Sequence, residues 1–150
     1  MIYVEAPAKV TADSNALFLA GGISGCPDWQ SEAVSMLRHT PYTVLNPRRK
    51  TFPAGDRAAV AEQIAWEYAG LKMAAVIAFW FPHNEVQPIA LFELGSAVAS
   101  GKLISVGAHP TYSRRIDLEL QLAAAKVRGT IYDSLRQIIL KAIRLLEDIR

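Results

Sequence analysis

Between Pro88 and Gly101, in "QPIALFELGSAVASG", Glu93 is the only charged side chain. At helical spacing it shares a face with Ala90 and Ala97, three residues before it and four after. Small neighbours leave room beside a carboxylate, and burial makes a carboxylate hold its proton more tightly. In a cleft such a group can serve as a nucleophile or a general acid–base. On the outer stripe of an amphipathic helix it would only be solvated, although a stripe of Ala90, Glu93, Ala97 and Ser100 is poorly polar for that purpose. Glu67, in "QIAWEYAGLKMA", lies four residues after Gln63 on one helical face, with a solvated face as its alternative reading. Asp28 is a third acid, placed to cap a helix beginning at Trp29. His83, His109 and Cys26 read as loop residues, and no serine–histidine–acid arrangement can be argued from their order.

The elements that must hold these residues alternate along the chain. "ALFLA" (Ala16–Ala20) reads as a buried strand, Trp29–His39 as a helix and "YTVLN" (Tyr42–Asn46) as a second strand. A helix from Asp56 to about Lys72 has Val60, Ile64, Tyr68 and Leu71 at helical spacing. "AAVIAFW" (Ala74–Trp80) is apolar on both faces, as a central strand should be. Pro88 suits the first turn of the next helix, which closes at Gly101. "LISVG" (Leu103–Gly107) is a fourth strand, and Tyr112–Arg128 is a helix. Thr130–Tyr132 is a short strand before a last helix, Asp133–Ile149, which is apolar over a broad face. The opening residues are a candidate edge strand. The βαβαβαβα order predicts one α/β domain over residues 1–150, an open parallel sheet with helices on both faces.

Ligands of such sheets bind beyond the carboxyl ends of the strands. There the sequence places Gly21, Gly22, Asp28 and Trp29 after the first strand, Asn46, Arg48 and Arg49 after the second, Trp80, His83 and Gln87 after the third, and His109 after the fourth. The mixture suits a small, polar, partly aromatic ligand. Gly21 and Gly22 could let backbone approach it, or could form only a turn. Trp29 and Trp80 could sandwich a flat ring, or could be core. Arg48 or Arg49 could hold a phosphate or hydroxyl, or be a solvated pair. "GGIS" is neither a dinucleotide fingerprint nor a Walker loop.

Composition narrows the classes. A chain of 150 residues, 51% hydrophobic, can build a core, and a net charge of +2 with scattered basic residues argues against a polymeric nucleic-acid surface. One cysteine excludes an internal disulfide and suits a reducing cytoplasm. No His/Cys cluster has metal-ligand spacing. "MIYVEAPAKV" lacks the basic start and long apolar run of a leader, and no apolar stretch is long enough to span a bilayer.

The motifs "LFLAGGIS", "DWQ", "LNPRR", "WEYAGLKMAAVIAFWFP" and "ALFELGSAVASGKLISVG" together resemble the nucleoside 2-deoxyribosyltransferase-like family, over roughly residues 16–121. The resemblance implies a flavodoxin-like or Rossmann-like three-layer sandwich with a mostly parallel sheet of about five strands, in homo-oligomers. It implies that the glutamate of "ELG", Glu93, attacks C1' of a deoxyribose, and that no metal or organic cofactor takes part. Glu67 matches the family acid that helps the base depart. Two positions depart from the family pattern: Gln87 is an amide where a second acid stands, and Phe18 replaces a tyrosine that supports the nucleophile.

The expected function is therefore base exchange on 2'-deoxynucleosides, with nucleoside and free nucleobase as substrates. Glu93, Asp28 and Glu67 are the expected catalytic residues. Gly21, Gly22, Trp29, Asn46, Arg48, Trp80 and Gln87 are the expected pocket. An N-glycosidase acting on a nucleoside or its 5'-monophosphate is the first alternative, and a non-catalytic nucleotide-binding module the second.

Overall fold

Five parallel strands form the sheet of the computed structural model, which describes residues 1–11, 15–53, 55–127 and 129–149. The strands are β1 (Ile2–Glu5), β2 (Ala16–Gly21), β3 (Thr43–Asn46), β4 (Val76–Phe81) and β5 (Leu103–Ala108), in the spatial order β1-β3-β2-β4-β5. The helices are α1 (Trp29–Leu37), α2 (Arg57–Met73), α3 (Pro88–Ala99), α4 (Arg115–Ala124) and α5 (Leu135–Asp148). This is the α/β arrangement of a flavodoxin-like fold. The order reverses direction between β2 and β4, so the switch-point crevice lies where Gly21 pairs with Trp80.

The two central strands are apolar throughout because both of their faces are covered. Alternation along β4 sends Ile77, Phe79 and Phe81 to one side and Val76, Ala78 and Trp80 to the other. The first side is covered by α2, α3 and α4 through Trp66, Ala90, Leu94, Ala97 and Leu118. The second is covered by α1 and α5 through Trp29, Ala33, Leu37, Ile138 and Leu146. Gly70 lets α2 come close to the sheet: a Cβ there would lie 2.7 Å from Phe18 Cε2.

Several expectations are sharpened or corrected. The opening residues do form an edge strand, β1, paired with β3. The Thr130–Tyr132 stretch is reduced to one bridging residue, Tyr132, opposite Gly107. The helix expected to end at Arg128 stops at Ala124, and Arg128 itself lies outside the described residues. Val60, Ile64 and Tyr68 do lie on a helix, but on its outer face, because the sheet side takes Ala59, Trp66 and Gly70. The broad apolar face of α5 is buried against β4, β5 and α1, so it needs no other partner. Among the described residues, no helix is long and apolar enough to cross a membrane.

Candidate active site

Glu93 lies one and a half turns into α3, a helix started by Pro88 and bounded by Gly101 in the left-handed region. Ala90 and Ala97 on its face are buried, as is Leu94 beside it. Glu67 lies on α2, and both helices rest on the same side of β2. Each carboxylate is half-buried. Burial pushes the Glu93 carboxyl up to about 8, and the charge of Glu67 adds to the rise. Burial also raises Glu67, but a hydrogen bond from Gln63 and the charge of Arg49 oppose it. The two acids therefore sense each other while living in different surroundings, Glu67 with a hydrogen-bond donor beside it and Glu93 without one among the described residues.

The support for Glu67 comes from residues outside the expected pocket. Gln63 Nε2 donates to Glu67 Oε1 at 2.7 Å and to Pro47 O at 2.8 Å, while Gln63 Oε1 accepts from Arg49 Nε at 2.6 Å. Arg49 also reaches Glu62 Oε2 at 2.9 Å and lies over the Phe52 ring. The Gln63–Glu67 spacing of four was legible in the sequence. That Arg49, rather than Arg48, would serve this side was not.

Arg48 turns the other way. It donates to Pro27 O, Gln30 Oε1 and Cys26 O, and its Nε lies 3.8 Å from Asp28 Oδ1. Asp28 caps α1, accepting from Ser31 N at 3.1 Å and Ser31 Oγ at 2.6 Å. Asn46, buried at the end of β3, donates to Tyr3 Oη and accepts from Arg48 N. The rings of Trp29 and Trp80 fill the α1–α5 side of the sheet, and Trp29 Nε1 donates to Gly22 O. These residues form a second cluster, and the structure does not bring the tryptophan rings to Glu93. The cause is the strict alternation of β4, which faces Trp80 away from Phe79 and Phe81.

The two glycines at the end of β2, Gly21 within it and Gly22 just after, make room for protein atoms. A Cβ on Gly21 would run into the Trp80 carbonyl oxygen, and one on Gly22 would lie 2.5 Å from Cys26 Sγ and 2.7 Å from Gln87 Cδ. Gln87 takes a left-handed conformation at the start of α3, and its Nε2 donates to Pro82 O and Glu85 O. Its buried Oε1 accepts no hydrogen bond among the described residues. Phe18, in place of a hydroxyl-bearing ring, packs on Trp66 with centroids 5.9 Å apart, on the carboxylate side of the sheet. Among the described residues, no group of three or more His, Cys, Asp or Glu side chains could hold a metal ion.

Two carboxylates in unlike surroundings that feel each other's charge can combine nucleophilic and acid–base work. Among curated proteins, none matches the chain. The family model for nucleoside 2-deoxyribosyltransferase-like proteins matches residues 14–112, a span that takes in β2 to β5, both carboxylates and the "GGIS", "NPRR" and "ELG" motifs. Fold, motifs and match agree, and the chain belongs to the nucleoside 2-deoxyribosyltransferase-like family.

Proposed function

We propose that the protein exchanges the nucleobase of 2'-deoxynucleosides through a covalent deoxyribosyl ester on Glu93. The observation that carries the reading is that Glu93 on α3 and Glu67 on α2, on the same side of the sheet, act on each other electrostatically, with hydrogen-bond support on Glu67 alone among the described residues. A Glu93 oxygen bonds to C1' as the C1'–N bond breaks, through an oxocarbenium-like centre. The electron pair of that bond leaves with the base, which takes up a proton passed on by Glu67. A second base then attacks C1', displaces Glu93 and returns a proton to the pair. Asp28, Asn46, Arg48, Gly21, Gly22 and Gln87 belong to the crevice at the strand ends in this reading, with Trp29 and Trp80 packed behind it under α1 and α5, and Gln87 Oε1 is a buried atom there that accepts no hydrogen bond among the described residues.

Free nucleosides are favoured over 5'-monophosphates because both guanidinium groups after β3 are already engaged by protein acceptors. The test is to incubate the protein with deoxyinosine and adenine and to repeat with Glu93→Ala. Deoxyadenosine and hypoxanthine should form with the wild type and fall by at least about a thousandfold in the variant, as when a covalent nucleophile is removed. Free deoxyribose without exchanged nucleoside would establish the hydrolase instead. Cleavage of no common nucleoside or nucleotide would leave the binding-module reading.

We also propose that a second copy covers the outer faces of α2 and α3. Ile64 and Tyr68 on α2 are 60% and 71% exposed, and Ile89 and Phe92 on α3 are 66% and 76% exposed. Exposed apolar patches of this kind mark interaction sites. The outward rows of Val60, Ile64 and Tyr68 and of Ile89, Phe92 and Ala99 carry no charge, so the patch can meet its own copy without stranding one. Two helices of this length present about 500 Å² per copy at 1.5 Å per residue, roughly the lower size of a specific interface.

A further inference from the structure

The hydrogen bonds behind Glu67 run in one direction. Arg49 can only donate, so Gln63 Oε1 must be the acceptor of the 2.6 Å bond from Arg49 Nε. That fixes the other end of the amide as the donor. Its two N–H groups are both used, one on Pro47 O and one on Glu67 Oε1. Turning the amide over would set an oxygen against a carbonyl and a carboxylate, and an NH2 against a guanidinium. Arg49 is itself held by Glu62 and Phe52. Glu67 therefore always meets an N–H, which favours its ionised form. No hydrogen bond reaches the Glu93 carboxylate among the described residues.

We infer that Gln63, locked by Arg49 and Pro47, is a positioning residue that keeps Glu67 the ionised acceptor and leaves the single proton of the carboxylate pair on Glu93. The charged groups acting on the pair are Arg49 from the loop after β3, Glu62 of α2, which holds Arg49, and the two carboxylates themselves. From the sheet, β2 and β4 present only apolar side chains to this side, Phe18, Ala20, Ile77 and Phe79 among them.

The inference rests on the pair being the exchange site, and it gives the reaction its proton. On nucleoside binding the proton passes from Glu93 to Glu67. Glu93 then bonds to C1', the C1'–N electron pair leaves with the base, and the base takes the proton from Glu67. The pair ends as an ester and a carboxylate, with the total charge unchanged. Activity then needs one proton on the pair, neither two nor none. The profile of kcat/KM is bell-shaped, with its alkaline limb near the upper titration of the pair.

The test is a site-resolved pH titration of the free protein by NMR, with glutamate carboxyl carbons labelled and assigned through Glu93→Gln and Glu67→Gln. In the wild type Glu67 should ionise at lower pH than Glu93. Gln63→Met keeps the length and removes the donor. It should raise the Glu67 midpoint by about one unit, roughly tenfold in proton affinity, and draw the two midpoints together. Arg49→Met, which frees the Gln63 amide, should move Glu67 the same way and serves where Gln63→Met does not fold. Glu93 ionising before Glu67 in the wild type, or unmoved midpoints in a folded variant, would overturn the inference. Because the readout is proton binding, a protein that titrates as described but exchanges no base would reject the exchange reading and leave the role of Gln63 standing.

Discussion

A carboxyl that ionises near pH 8 alters stability as well as chemistry. Glu93 has an ordinary value of 4.5 when exposed and is pushed up to about 8 by burial, with Glu67 adding to the rise. Below 4.5 it is protonated in both the folded and unfolded chain, and stability does not depend on it. Between 4.5 and 8 the unfolded chain releases the proton and the folded one keeps it, so stability falls as pH rises, and levels off above 8. Allowing for partial exposure, the loss is roughly 3 kcal/mol. Glu93→Gln has no proton to lose. Its unfolding free energy, followed in urea at pH 5, 7 and 9, should gain on the wild type by about that amount across the series. A constant difference would mean that the carboxylate is solvated after all. The same side chain shows what was readable at this scale. The apolar run around Glu93 and the small residues at its helical neighbours pointed to a buried acid. The dependence of its neighbour Glu67 on Arg49 was hidden, because that contact joins residues far apart in the chain through Gln63.

The helices meet the sheet by different means, and α2 is the clearest case. Its buried side is small, Ala59 and Gly70, apart from Trp66, whose Nε1 donates to Ala8 O. Gly70→Ala would place a methyl 2.7 Å from Phe18 Cε2 and 2.9 Å from Phe18 Cδ2, on a ring already fixed against Trp66. Overpacking of this kind costs about 1–3 kcal/mol, more than the few tenths gained from better helix propensity. A lower midpoint of thermal unfolding is expected, and a Phe18→Leu partner substitution should restore part of it. Periodicity identified α2 as a helix but favoured the wrong face, since Val60, Ile64 and Tyr68 point outward. For α5 the same reasoning located the apolar face and left its partner open, and that partner is the molecule's own sheet. Sequence periodicity shows which residues share a face. It does not show what that face meets when both the sheet and another subunit are available.

At the scale of the molecule the sheet separates two layers with unlike surfaces. The α1–α5 layer buries most of its apolar residues in the chain itself and leaves Met36, Leu140 and Ile149 partly exposed, whereas the layer of α2, α3 and α4 leaves Ile64, Tyr68, Ile89, Phe92, Ile116 and Leu120 60% or more exposed. If a second copy covers α2 and α3, light scattering should give at least twice the 16.4 kDa chain mass, and Ile64→Glu with Phe92→Glu should return the protein to monomers. A wild-type monomer at high micromolar concentration would remove the proposal. The parallel sheet and both layers followed from the alternation of apolar runs and helices, while the strand order did not. The division of labour between layers did not, because neighbours such as Arg48 and Arg49 part to opposite sides only once β3 has its place in the sheet. That division has an optical side. Of the chain's three indoles, Trp66 alone lies in the layer that carries Glu67 and Glu93, while Trp29 and Trp80 are sealed beneath α1 and α5. The molecule thus carries a fluorophore beside its acids and two more behind a wall of β-structure, a signal and its internal reference within one emission spectrum.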